Sequence, residues 1–292
     1  VCRTFLTLTV IGFITSVILV GLRFGISAQS PSTVVVYVAL RDGDPAIIIH
    51  DFTHNLKHRI LYNDFIDPTW SPDGSQLAFA ELSRYGSDIL VSNLAGTTFH
   101  NLTRSPARDE TPAWSPDGEW IAFSSNRGGN NNLYMIRPDG TDLKPLADLT
   151  ASNREPTWSP DSQTIAFSSN RGAGWDIYTL ELTSGTVTQL TTHTAPDTQP
   201  AWSPDGQHIA FVSMRDGTSS LYLYTFATGA ITPLVVTSHY DDSPSWIDDS
   251  QAIAFSRSVN TLPTVLYYDL MTKQTAPIDL DAKYTDSIVW LH

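Results

Sequence analysis

The stretch Pro112-Ala113-Trp114-Ser115-Pro116-Asp117-Gly118-Glu119-Trp120-Ile121-Ala122-Phe123-Ser124-Ser125-Asn126-Arg127 decides the fold, because it recurs. Close copies stand at Pro156–Arg171 and Pro200–Arg215, another at Pro68–Phe79, and a weaker one begins at Pro244-Ser245-Trp246-Ile247-Asp248-Asp249-Ser250. Six of the eight tryptophans, Trp70, Trp114, Trp158, Trp202, Trp246 and Trp290, are each 44 residues apart. A fixed period of this length is the signature of a repeat architecture.

Each period holds the same succession of short apolar runs. After the Trp comes Leu77-Ala78-Phe79, Ile121-Ala122-Phe123, Ile165-Ala166-Phe167, Ile209-Ala210-Phe211 or Ile253-Ala254-Phe255. A second run is centred on Ile89-Leu90, Leu133-Tyr134, Ile177-Tyr178, Leu221-Tyr222 and Leu266-Tyr267, and a third on Leu102-Thr103, Leu146, Leu190-Thr191 and Leu234-Val235. Counting the Trp segment, that is four short strands per unit with turn residues between them, the sequence form of a propeller blade. In Ser-Pro-Asp-Gly, Pro presets φ at the corner, Asp bonds nearby amides and Gly accepts positive φ, so the chain reverses tightly. The repeated Trp is expected between neighbouring blades, where burying the ring is worth about 4–6 kcal/mol as an upper bound.

Val35-Val36-Tyr37-Val38 reads as the first, degenerate copy of the Ile-Ala-Phe strand, so the propeller enters at the second strand of a blade. Residues 288–291, around the sixth Trp, are expected to supply that blade's innermost strand beside strands from about residues 33–62, which would cover both open edges. The expected fold is all-β, a six-bladed propeller of four-stranded blades, preceded by one N-terminal hydrophobic helix.

Thr4 to Leu22 are 19 uncharged, mostly apolar residues. As a helix they would extend about 28 Å, close to the thickness of a hydrocarbon core. Arg23 closes the run, and Ile26-Ser27-Ala28 resembles a cleavage site, so a signal anchor in the membrane and a cleaved signal peptide both fit. The expected division is a targeting segment over residues 1–28 and a propeller over 29–292, placed outside the cytoplasm, periplasmic or at the cell surface.

The 292 residues carry 17 Lys+Arg and 30 Asp+Glu, a formal charge of −13. Residues 1–28 contain Arg3 and Arg23 and no acid, leaving 15 basic and 30 acidic side chains, a net −15, on the rest. Such a surface argues against nucleic acid, which needs a basic face to release phosphate counterions. The single Cys2 forms no intramolecular disulfide, and no paired Cys/His spacing offers a zinc site.

The repeat Pro-x-Trp-Ser-Pro-Asp-Gly-x-x-Ile-Ala-Phe-x-Ser-x-Arg, complete at Pro112–Arg127, resembles that of TolB-type propellers, the PD40 or WD40-like repeat family, over roughly residues 33–292. The resemblance implies six blades, an extracytoplasmic location and a non-enzymatic, protein-binding role as an envelope scaffold. The α/β domain that precedes the propeller in TolB is not expected, since about ten residues separate the apolar run from the first strand.

Departures from the repeat are the places to look for function. Every unit carries an acid just before its Pro-x-Trp: Asp64 and Asp67, Asp109 and Glu110, Glu155, Asp197, Asp241 and Asp242, and Asp286. Asp67, Glu110, Glu155, Asp197, Asp241, Asp242 and Asp286 are therefore the candidate partner-binding acids at one channel mouth. Such a ring would focus negative potential on a protein or peptide with a basic segment. Backbone capping by the same carboxylates is the alternative. No resident cofactor or metal is expected, although a ring of acids leaves room for a divalent cation.

Arg127, Arg171 and Arg215 recur after their Trp and are expected to pair with acids of the neighbouring blade. Trp120 and Trp175 lie outside the register and are candidate aromatic anchors, with packing as the alternative. His50, His54 and His58 fall in turn and hairpin positions and read as solvated. No nucleophile elbow, zinc-protease pair or phosphate loop is present. A monomer that binds a protein is the leading reading. A polysaccharide-lyase propeller is the second, and it would use His193 and His239 with channel carboxylates.

Overall fold

The computed structural model describes residues 34–41, 44–54, 56–62, 65–146, 151–247, 250–259, 262–280 and 285–290. The apolar segment over residues 1–28 and Asp64 lie outside the described residues. So do the side chains of His58, Asp286 and Trp290. No helix among the described residues is long and apolar enough to cross a membrane.

Blade 1 contains β1 (Val34–Arg41), β2 (Asp44–Asp51) and β3 (Leu56–Tyr62), and blade 2 contains β4 (Phe65–Trp70), β5 (Gln76–Leu82), β6 (Ser87–Asn93) and β7 (Phe99–Asn101). Blade 3 is β8 (Asp109–Trp114), β9 (Ile121–Ser125), β10 (Asn132–Ile136) and β11 (Lys144–Pro145). Blade 4 is β12 (Asn153–Trp158), β13 (Thr164–Ser169), β14 (Asp176–Glu181) and β15 (Val187–Gln189). Blade 5 is β16 (Asp197–Trp202), β17 (His208–Ser213), β18 (Ser220–Thr225) and β19 (Ala230–Val235). Blade 6 is β20 (Tyr240–Ile247), β21 (Ala252–Val259), β22 (Leu262–Asp269) and β23 (Gln274–Pro277). The remaining strand, β24 (Thr285–Trp290), joins blade 1 in the order β24-β1-β2-β3, pairing Val35 with Trp290 and Val36 with Val289. The chain is thus an all-β propeller of six four-stranded antiparallel blades.

The core lies between blades. Leu77 and Phe79 of β5 pack with Trp70 against Val36, Val38, Ile47 and Ile49 of blade 1. Ala78 and Ala80, on the opposite face of the same strand, pack against Trp114 of blade 3. Side chains alternate along a strand, so Ile/Leu-Ala-Phe puts two large residues toward the preceding blade. The small one is left facing the next blade's indole. Ala122 meets Trp158 and Ala210 meets Trp246 in the same way.

The Ser-Pro-Asp-Gly turns close as their chemistry requires. The Gly74 N–H donates to Ser71 O at 2.9 Å, and Gly74, Gly118 and Gly206 take φ of 67°, 75° and 72°. The Ser hydroxyl donates to the Asp carboxylate, 2.7 Å from Ser71 to Asp73 and 2.6 Å from Ser159 to Asp161, and accepts the N–H that opens the next strand.

Candidate functional site

A cavity of 460 Å³ lies where the first strands of the six blades converge. Its wall is one register of the repeat, the residue three before each Trp: Asp67, Thr111, Glu155, Gln199 and Ser243, each followed by Pro. At this point every first strand carries a β-bulge, seen as register shifts between Ile66 and Thr69, Glu110 and Ala113, Arg154 and Thr157, Thr198 and Ala201, and Asp242 and Ser245. Pro has no N–H to give to a ladder and is tolerated at such a bulge. The residue before it takes a left-handed φ, 52°, 53°, 57°, 53° and 54° in blades 2 to 6. That conformation is unfavourable for any residue with a Cβ, most of all for the β-branched Thr111.

Hydrogen bonds running from blade to blade hold the strained ring. The Thr111 N–H donates to Asp67 Oδ2 at 3.2 Å, the Gln199 N–H to Glu155 Oε2 at 2.8 Å, and the Ser243 N–H to Gln199 Oε1 at 2.8 Å. Thr111 is too short to reach the next amide, and Ser124 takes its place. The Ser124 Oγ lies 2.6 Å from Thr111 Oγ1 and accepts the Glu155 N–H at 3.2 Å. Asp67 and Glu155 therefore cap amides and, among the described residues, also supply the two charged side chains of the cavity lining, with no Lys or Arg beside them in it. Arg154 stands beside this ring, its Nε 3.3 Å from Glu155 Oε1.

The other candidate acids fall in different registers and different surroundings. Asp197 and Asp241 were expected at the channel mouth, but both are fully buried. Asp197 accepts Arg215 Nη2 at 3.0 and 2.9 Å, and Asp241 accepts Arg257 Nε at 2.6 Å and Nη2 at 2.8 Å. A carboxylate five residues before Trp points into the blade, where burial demands a cationic partner. Asp109 is held likewise by Arg127 Nη2 at 2.8 Å, whereas Arg171 donates to the neutral Asn153 at 3.1 Å. These arginines pair within their own blade, not across to the neighbour as expected. Glu110 and Asp242, four before Trp, are half-buried and accept hydroxyls of the preceding blade, Ser87 at 3.4 Å and Ser219 at 2.9 Å. Asp286 pairs through its backbone with Val38.

Trp70, Trp114, Trp158 and Trp246 occupy blade junctions. Indole N–H groups of Trp70, Trp158 and Trp246 donate to Val289 O, Ala113 O and Ala201 O of the preceding blade at 3.2, 2.9 and 2.9 Å. Trp120 and Trp175, the candidate anchors, are half-buried and carry cations of this chain. Arg137 and Lys144 lie 4.3 and 4.2 Å from the Trp120 ring centre, and Arg154 lies 4.2 Å from that of Trp175. Trp120 also packs with Met135, Trp158 and Leu182. His50 is buried against Phe52, His54 pairs with Asp51 at 2.6 Å, His193 is exposed and His239 is half-buried. Neither His193 nor His239 lines the axial cavity. Among the described residues no group of three or more His, Cys, Asp or Glu is placed to hold a metal ion.

Thr111, Gln199 and Ser243 are uncharged, so the pattern of acids before each Trp does not point to them. The signal that finds them is register: they share the position of Asp67 and Glu155 relative to Trp.

Residues 26–149 and 140–279 match the family described as the TolB β-propeller domain. Among solved structures, TolB from Acinetobacter baumannii superposes with a TM-score of 0.77 at 20% identity, covering 89% of this chain and 66% of that one. A chain of a nidogen/laminin complex gives 0.70 at 12% identity, covering 89% and 98%, and an oligogalacturonate lyase in complex with manganese gives 0.60 at 15%, covering 84% and 74%. Identities this low speak for the fold alone. No relative is matched among curated proteins. With its in-register Trp-Ser-Pro-Asp-Gly turns, its six blades and a family match over most of its length, the chain belongs to the TolB β-propeller family.

Proposed function

We infer that this protein is an extracytoplasmic, non-enzymatic propeller that binds a protein or peptide through the axial cavity, with a basic segment of the partner seated on Asp67 and Glu155. The observation that carries the reading is the lining itself: a hydrogen-bonded ring at one register that, among the described residues, presents two carboxylates, uncharged polar groups between them and no cation. A concave wall of one sign in an acidic body draws a cationic ligand and orients it. Membership of the TolB family and the apolar segment at Thr4–Leu22 support a place outside the cytoplasm.

Hexalysine serves as a probe in isothermal titration calorimetry. The wild-type chain is expected to bind it with an affinity that falls steeply with added salt. The D67N/E155Q double variant keeps the capping acceptors but loses two charges, and should bind about tenfold more weakly or worse. Equal affinities for wild type and double variant would overturn the reading.

A further inference from the structure

A second cavity, of 430 Å³, opens between blades 1 and 2 and is lined by Val34, Ile49, Asp51, Leu56, Trp70 and Leu94. Most of its wall is apolar, and Leu56 and Leu94 at its rim are 50% and 37% exposed. Blade 3 shows what can occupy this place. Strand pairing aligns Val34 of blade 1 with Trp120 of blade 3, and Asp51 with Arg137. Across the junction, Trp70 and Leu94 correspond to Trp158 and Leu182. Between blades 3 and 4 the slot is filled by the chain's own Trp120, which packs with Met135, Trp158 and Leu182 under the Arg137 guanidinium. His208, at the position of Trp120, likewise stacks on Trp246 of the next blade with ring centres 6.4 Å apart, whereas blades 2, 4 and 6 carry Gln76, Thr164 and Ala252 there. Compared with blade 3, blade 1 carries Val34 at the position of the ring and Asp51 at the position of the cation above it.

We propose that this slot is a docking site for a tryptophan flanked by Lys or Arg on a partner polypeptide. The partner supplies both the ring that Val34 lacks and the cation that Asp51 has replaced. Apolar burial of the indole gives the affinity, and the rim carboxylate selects the flanking charge. Asp51 is held ready for this. It accepts the Thr53 and His54 N–H groups at 2.9 and 3.2 Å and lies 2.6 Å from His54 Nδ1. The site lies in a different junction from the axial cavity and stands independently of the reading given for that cavity.

The test uses the full chain carrying D67N/E155Q, so that the axial carboxylates do not contribute, and titrates it with the amidated tripeptides Lys-Trp-Lys and Lys-Ala-Lys. Lys-Trp-Lys is expected to bind with one-to-one stoichiometry and Lys-Ala-Lys about tenfold more weakly or worse. V34W, which fills the slot from within as Trp120 does in blade 3, and L94K, which charges its exposed rim, should each remove the difference between the peptides. Circular dichroism melts of both variants establish that they are folded. Equal binding of the two peptides, or a preference for Lys-Trp-Lys that survives in both folded variants, would overturn the proposal. It would also be overturned by a peptide-free dimer that V34W dissolves, which would assign the slot to a second copy of the chain.

Discussion

Arg171 and Arg215 make nearly the same contacts in successive blades, differing in one partner. Each guanidinium lies over a Phe-Tyr pair, Arg171 5.4 and 4.9 Å from the ring centres of Phe167 and Tyr178, Arg215 5.8 and 4.5 Å from those of Phe211 and Tyr222. Arg215 donates to the buried carboxylate of Asp197, Arg171 to the amide oxygen of Asn153. Burial pushes the Arg171 guanidinium below its ordinary value, since desolvation there is not offset by an opposite charge at the same place. Removing Arg215 leaves Asp197 as a buried, uncompensated charge, whereas removing Arg171 leaves a neutral acceptor. R215A should therefore cost about 3–5 kcal/mol and R171A about 1–3 kcal/mol, measured by urea denaturation. Equal costs would mean that the cation–aromatic stacking dominates over the ion pair. The Ala-to-Trp contacts give a second comparison of the same kind. Leucine at position 122 would press on Trp158, and A122L is expected to cost about 1–3 kcal/mol by overpacking, read from the same denaturation curves.

The turn after each Trp is where sequence and geometry agree most closely, and its aspartates give the protein an acid-sensitive component. The Ser71 hydroxyl, then the Ser75 N–H and hydroxyl, hold Asp73 below the usual carboxylate range, and Ser159 and the Gln163 N–H do the same for Asp161. A carboxyl whose folded pKa is depressed contributes stability that is present above its unfolded value, near 3.9, and lost as pH falls through the folded one. Stability should thus decline as pH drops below about 4. D161N, which cannot titrate, should show a shallower decline than wild type in acid denaturation followed by tryptophan fluorescence. An unchanged slope would assign the acid sensitivity to other groups. These turns were legible from Pro, Asp and Gly alone because the chemistry is local. The acids ahead of the Trp were not. Positions five, four and three before it look alike as text, yet the bulge sends them into the blade, toward the preceding blade and into the cavity respectively. A one-residue difference in a strand reverses the face of the side chain, and a bulge shifts it again. The propeller could be read from its period, but the site required knowing where that bulge falls.

Ring closure concentrates the long-range order of the molecule in one short strand. β24 pairs with β1 and packs beside β20 and β4, and the Trp70 indole donates to its Val289 carbonyl. Nearby, Tyr37 Oη and Lys57 Nζ donate to Leu280 O at 3.1 and 3.0 Å, so the stretch leading to β24 is tied to blade 1 as well. The remaining blades form from contiguous sequence and contact their neighbours, much as units of a repeat array do. Deleting residues 285–292 would leave every blade but the first with its own strands. It would also expose the unpaired edge of β1 and strip one face from the core of Trp70, Val36 and Val38. An open edge of this kind invites pairing with another chain. The truncated protein is expected to lose hydrogen-exchange protection first at Val35–Val38, to unfold less cooperatively than the parent, and to associate in a concentration-dependent way by size-exclusion chromatography. Addition of a synthetic peptide of residues 283–292 should restore protection at those amides if β24 acts as a separable latch. Protection at Val35–Val38 that persists in the truncated chain without the peptide would show that blade 1 holds together through β2, β3 and blade 2 alone.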